Sequence, residues 1–180
     1  MTNNPYVNIW FNTNETIEKI LKNEIRFNYH IPVLLTVIGG SVASAKDIYF
    51  VVEDMFLTVI VSIIFIFLAY LALLRLFPWL IKKTGGIWNG KSDINELRIV
   101  IGLAQIPALI LLAEQIIFLG FGQLVPEMET NIILQWLVWI FYMRILILGT
   151  AKVQGFSIMV TFLNLVISVL PLFLLRMIFI

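Results

Sequence analysis

Between Asp54 and Arg75 the chain carries no charged residue, and MFLTVIVSIIFIFLAYLALL is apolar almost throughout. A bilayer hydrocarbon core is about 30 Å thick, so a helix needs about 20 apolar residues to cross it. Lipid offers no water to backbone N–H and C=O groups, so a run of this length must satisfy them internally, as a helix. Composition extends the argument to the rest of the chain. Of its 180 residues 61% are hydrophobic and 13% charged, against roughly 45–50% and ~25% in a soluble domain. Mean hydropathy is +0.99. Such a chain cannot cover a core with polar surface. A net charge of +1 excludes nucleic-acid binding as its business, and the absence of cysteine excludes disulfides, thiolate metal sites and cysteine nucleophiles.

The expected fold is all-α: a polytopic membrane protein with five transmembrane helices behind a short cytoplasmic amphipathic helix in residues 1–29. The spans fall at about 30–52, 55–76, 99–124, 132–149 and 156–180. The N-terminal residues carry acids and Asn throughout, so no signal peptide is expected, and no repeat points to a repeat-built transporter. Lys19, Lys22, Arg26, Lys82, Lys83, Lys91, Arg98 and Lys152 all fall on one side of this arrangement, and only Lys46 and Arg176 on the other. The positive-inside bias makes it a multi-pass protein of the cell membrane, with its N-terminus in the cytoplasm and its C-terminus outside. Trp79 and Trp88 then lie near the inner interface.

Residues 12–25 read as a surface helix. Asn12 can cap it, with Glu15 completing a capping box, and Glu15–Lys19 and Glu18–Lys22 are i,i+4 pairs. Trp10 and Phe11 precede it, and Ile17, Ile20, Leu21 and Ile25 form one apolar face. That face either lies on the inner leaflet, packs under the bundle, or binds a partner.

The third span is the polar one, with Gln105, Glu114 and Gln115, and with Pro107 expected to kink it. A mid-bilayer carboxylate costs about 2.5–3.5 kcal/mol, so Glu114 needs a partner or a proton. Counted from the outer turn bracketed by Val125 and Asn131, Glu114 and Arg144 sit at similar depth, roughly 17–20 Å down. A Glu114–Arg144 pair is therefore expected; the alternative is Arg144 snorkelling to the cytoplasmic face. Asn164 in the fifth span reads as an interhelical hydrogen bonder. Gly39/Ala43, Gly40/Ser44 and Ser41/Ala45 are small-xxx-small pairs, which serve packing within the chain or a homo-oligomer through the Gly40/Ser44 face. His30, the one histidine, sits at the mouth of the first span as an interfacial structural residue, and Gly85–Gly86 reads as a flexible turn. No Ser/His pair, paired aspartates or metal motif is present, so neither enzyme activity, cofactor nor metal is expected.

Three stretches carry a family resemblance. NPYVNIWFNTNETIEKIL resembles the N-terminal signature of bacterial members of the Yip family. TGGIWNGKSDINELRIVIGLAQIPALI resembles its second landmark, a Gly-Gly turn, an amphipathic stretch and a proline-containing helix. AKVQGFSIMVTFLNLVISVLPLFLL resembles its third, a Gln-Gly-Phe-Ser lead-in to the last span. The resemblance implies a five-span bundle with a cytoplasmic N-terminal segment. Eukaryotic relatives bind Rab-type GTPases, but this chain lacks their Asp-Leu-Tyr-Gly-Pro motif, so that role does not carry over.

The function expected is a non-enzymatic membrane scaffold or partner-binding protein. It would act through segments 1–29 and 82–98, with Trp10, Phe11, Ile17, Lys82, Lys83 and Trp88 on its surface. Its partners would be membrane lipids and other membrane or cytoplasmic proteins. The alternatives are a small transporter using Glu114, Gln115, Gln105, Arg144 and Asn164, or a lipid-handling protein that attracts anionic lipid to its basic loop.

Overall fold

The computed structural model describes residues 4–121 and 131–178, with the side chains of 43, 45–48, 50–52, 115, 118–121 and 172–178 left out of the description. The far ends of the third and fifth expected spans, and the turn at Val125, lie outside the described residues. Among the described residues all regular structure is helical.

Helix α1 (Pro5–Phe11) starts where Asn4 accepts a hydrogen bond from the Tyr6 amide at 2.9 Å. Pro5 occupies the first turn, where no N–H is missed. Helix α2 (Thr13–Leu21) follows at once. Asn12 makes no side-chain cap bond, so the expected capping box does not form. Thr13 and Thr16 instead donate to the carbonyls of Ile9 and Asn12, at 2.9 and 2.8 Å, carrying the chain from one helix into the next. The helix stops at Leu21 rather than at residue 25 because Asn23 turns left-handed (φ 59°). The Glu24 amide then closes on the Lys19 carbonyl at 2.8 Å.

The apolar face of this segment is packed under the bundle. Ile9, Ile17, Ile20 and Ile25 are buried with Leu97, Val100 and Ile101 of α6 (Ile94–Ala104) and with Ile145 and Leu146 of α8 (Ile132–Gln154). A Cβ on Gly149 would meet Val100 Cγ1 at 2.6 Å and Ile17 Cδ1 at 3.0 Å, so glycine there lets the three helices close together. Both expected ion pairs form, at 2.6 Å for Glu15–Lys19 and 2.7 Å for Glu18–Lys22, and Glu18 also reaches Lys152 of α8 at 2.6 Å.

Helix α3 (His30–Val52) pairs with α4 (Met55–Leu71) across a two-residue turn. Glu53 takes a left-handed conformation there, and Asp54 caps the Leu57 amide at 2.8 Å. The second expected span runs on past 76. A π-helical turn at Ala72–Leu76 leads into α5 (Phe77–Gly85) and a 3₁₀ turn at Gly86–Trp88. Pro78 explains the turn. It has no N–H for the carbonyl of Leu74, four residues back, and its ring would clash there in an α-helix. The π-turn widens the backbone, with the Phe77 amide bonding Ala72, and Arg98 Nε fills the Leu74 carbonyl at 2.8 Å.

Helix α6 opens on a complete capping box between Asp93 and Glu96. At Gln105–Pro107 the ladder breaks into short turn bonds, Ile106 to Leu103 and Leu109 to Ile106 at 3.1 Å each. It resumes as α7 (Ala108–Phe121), so the kink expected at Pro107 is a break between two helices. Helix α8 ends at Gly155 in the left-handed region (φ 74°), and α9 (Ile158–Ile178) packs against α5 and α8.

Among the described residues three helical stretches are long and apolar enough to cross a membrane: Met55–Trp88, Ile94–Glu114 and Ile132–Gln154. Shorter apolar stretches lie at His30–Val42 and Ile158–Pro171. Only 11% of the most apolar window in Met55–Trp88 is buried by the rest of the chain, leaving Phe56, Ile63, Phe65 and Phe67 exposed. An outward apolar surface of that extent needs lipid or protein to cover it.

Candidate functional site

The intramembrane residues singled out from the sequence do not converge. Glu114 Oε1 accepts the backbone N–H of Asn131 at 3.0 Å, at the start of α8. Arg144 lies about 20 Å further along that helix, where its Nη1 donates to the Trp10 carbonyl at 2.7 Å. The expected Glu114–Arg144 pair is therefore absent. The depth count treated the two helices as level at the turn, but α7 continues past Glu114 to Phe121 while α8 begins only at Ile132. The hairpin is staggered, and the charges are at different depths. Arg144 ties the N-terminal segment down, beside an edge-to-face contact between Trp10 and Phe141 with centroids 5.0 Å apart. The side chain of Gln115 lies outside the described residues.

Gln105 is buried at the α6–α7 break, beside Tyr142 of α8. The pair borders a half-open cavity of about 330 Å³, lined also by Thr36, Gly39, Gly40 and Trp139. Glu114 is not among the residues lining it. Gly39 is filled by Leu112, whose Cδ1 would lie 2.6 Å from an added Cβ, so this small residue serves packing within the chain. Gly40 and Ser44 are exposed, and nothing lies within 4 Å of a Cβ at Gly40.

Asn164 has the expected interhelical role, in a buried polar junction. Its Oδ1 accepts from Thr84 Oγ1, and its Nδ2 donates to the Ile81 carbonyl at 3.3 Å. Ser168 Oγ sits 2.6 Å from Thr84 Oγ1. Gln154, at the end of α8, donates to the same Ile81 carbonyl at 3.2 Å. Sequence reasoning missed Gln154 and Thr84. The Gly-Gly segment is not a free turn: a Cβ on Gly85 would fall 2.5 Å from Gln154 Nε2, and one on Gly90 only 1.9 Å from Gln154 Oε1. The Lys91 amide also bonds the Gln154 carbonyl at 3.4 Å. The signal was present in the TGG and QGF stretches, but nothing in either says that they touch.

Among the surface residues expected in segments 1–29 and 82–98, Ile17 is fully buried and so lies inside the core. Trp10 and Trp88 are half-buried, whereas Phe11, Ile87, Lys82 and Lys83 are exposed. Lys82 stands 3.6 Å from Asp93. Asp93 has its carboxyl held below the usual range, first by the backbone N–H groups of its own helix start and then by Lys82.

His30 is the more informative interfacial residue. Its Nδ1 lies 2.5 Å from the hydroxyl of Tyr70, and its ring packs on Tyr29 with centroids 4.3 Å apart. These rings meet Arg75 and Arg98 at the π-turn, around a cavity of about 260 Å³.

No protein-family model matches the chain, and no curated protein or solved structure matches it. The fold therefore defines its class on its own: among the described residues, all-helical, with three helices long and apolar enough to cross a membrane.

Proposed function

We propose that the chain is a five-span, non-enzymatic integral membrane protein of the organising or partner-binding kind, similar to the Yip family. In this reading α3 and α9 complete the set of spans, the N-terminal segment is cytoplasmic, and the C-terminus is outside. The observation that carries it is the junction at Gln154. Two of the three motif-bearing stretches close on one amide there, which builds loop 82–98 into a fixed surface that presents exposed Ile87 and Lys83. The transporter reading draws less support, because Glu114 bonds a backbone amide and the Gln105 cavity excludes it. Gly40 and Ser44 form the face through which a second copy would pack.

The absence of native cysteine makes the test clean. Single cysteines at Lys83 and Glu53 should react with a membrane-impermeant maleimide from opposite sides, Lys83 from the cytoplasm; labelling from the same side sinks the topology. A photocrosslinker at Ile87 should give one discrete adduct in native membranes, lost on Lys83→Glu. Solute flux through the purified chain in liposomes, without an adduct, would favour the transporter.

A further inference from the structure

The cavity at the π-turn joins three parts of the chain. Tyr29 and His30 come from the start of α3, Tyr70 and Arg75 from the end of α4 and its π-turn, and Arg98 from α6. Its lining holds two guanidinium groups, an imidazole and two phenols, and no carboxylate. Among the described residues neither arginine takes part in an ion pair. Two cations brought to one small cavity repel each other, and an anion between them relieves that repulsion.

Arg98 is held in place before any ligand arrives. Its Nε bonds the Leu74 carbonyl and its Nη1 the Asn95 side chain, each at 2.8 Å. A guanidinium carries five N–H donors, so those two bonds fix the plane and leave the others free. The carbonyl that fixes it is open only because Pro78 cannot donate to it. Arg75 is exposed at the rim and Arg98 is half-buried. A fixed guanidinium and an exposed one lining the same cavity, with phenol and imidazole groups beside them, match the planar, bidentate way arginine takes phosphate oxygens.

We propose that this cavity is a phosphate-group site and that its ligand is the headgroup of an anionic phospholipid in the cytoplasmic leaflet. The lipid source rests on the five-span reading above; the phosphate chemistry does not. Basic pockets between transmembrane helices on the cytoplasmic side are the kind of place where anionic headgroups dock. Inorganic phosphate shares the chemistry and is the alternative source.

Native mass spectrometry of the detergent-purified full chain, titrated with dioleoylphosphatidylglycerol or dioleoylphosphatidylcholine, tests this. The wild type should retain phosphatidylglycerol preferentially. Arg75→Gln should weaken that retention about tenfold, the scale of one charged hydrogen-bond partner. Arg75→Lys should recover part of it, and Lys22→Gln, an equal charge change at the exposed end of α2, should leave it unchanged. Equal losses in Arg75→Gln and Lys22→Gln would overturn the site in favour of diffuse surface attraction. Stabilisation by inorganic phosphate that depends on Arg75, with no lipid preference, keeps the phosphate site and overturns the lipid source. Neither response overturns both. If Arg75→Gln does not fold, His30→Ala in the same titration decides, with a loss of several-fold expected and no change counting against the site. The maleimide labelling above reads the membrane topology separately, so failure of one does not pass for failure of the other.

Discussion

Gly40 and Gly90 show how differently one residue type is used. At Gly90 the Gln154 amide occupies the space a side chain would need, with Oε1 1.9 Å from an added Cβ. Gly90→Ala forces that amide out of a buried junction. We expect a loss of about 1–3 kcal/mol, the range for overpacking, read as a lower Tm in detergent. Gly40→Leu meets no atom within 4 Å and should change monomer stability by less than about 0.5 kcal/mol. Its effect, if the Gly40/Ser44 face associates, is on mass: a folded monomer would replace a dimer in light scattering. The sequence marked Gly40 as a small residue and left Gly90 unremarked within a motif-bearing stretch, because the distinction depends on what the fold brings opposite each, and composition does not encode that. Glu18 is a second case at this scale. The i,i+4 partner Lys22 was legible, and Lys152, far away in the chain, was not. Hydrogen bonds from Lys152 and then Lys22 lower the Glu18 carboxyl from 4.5 to about 2. Because the folded value is depressed, the link between α2 and α8 is fully present above about pH 4.5 and is lost as pH falls toward 2. The Tm gap between wild type and Glu18→Gln should be constant near neutrality and shrink across that window. A gap that persists unchanged at pH 2 would show that Glu18 acts through packing instead.

At the scale of elements, helices were readable wherever a long uncharged run left the backbone no other way to satisfy itself. The starts of α3 at His30 and of α8 at Ile132 coincide with the starts of apolar runs, while α8 continues to Gln154, past the expected 149. Two things were harder. The apolar face of α2 has the same spacing whether it meets lipid or protein, so periodicity alone could not send Ile17 into the core. The second span was expected to end near Arg75, yet the helix runs on to Gly85, because the π-turn absorbs Pro78 and an arginine from another helix answers the orphaned carbonyl. That account makes a paired prediction. Arg98→Met leaves the Leu74 carbonyl unanswered and should cost about 1–3 kcal/mol. In a Pro78→Ala background residue 78 regains an N–H that can bond Leu74, so the same Arg98→Met change should cost markedly less. A double-mutant cycle by thermal denaturation reads the coupling, and additivity within about 0.5 kcal/mol would show that the two residues do not share this carbonyl.

For the whole molecule, the scarcity of charge within the apolar helices gave a short list of residues, but not their partners. Glu114 and Arg144 were paired by counting depth from one shared turn, and the stagger between α7 and α8 breaks that count. The two side chains instead bind the start and the middle of α8 to different neighbours: Glu114 holds the α8 start through Asn131, and Arg144 holds the N-terminal segment through Trp10. This arrangement is testable without locating either residue in a bilayer. Glu114→Gln keeps an oxygen that can accept the Asn131 N–H, and Arg144→Gln keeps an N–H for the Trp10 carbonyl, so both should cost less than their alanine counterparts. Glu114→Ala and Arg144→Ala should each cost about 1–3 kcal/mol, as the lost partner of a hydrogen bond does. Because the sites lie about 20 Å apart along α8, the double alanine variant should show the sum of the two losses. A buried ion pair would behave otherwise: the first substitution would strand the opposite charge, and the second would then cost little or even recover stability. A double variant no less stable than the worse single one would therefore restore the ion pair and overturn the staggered hairpin.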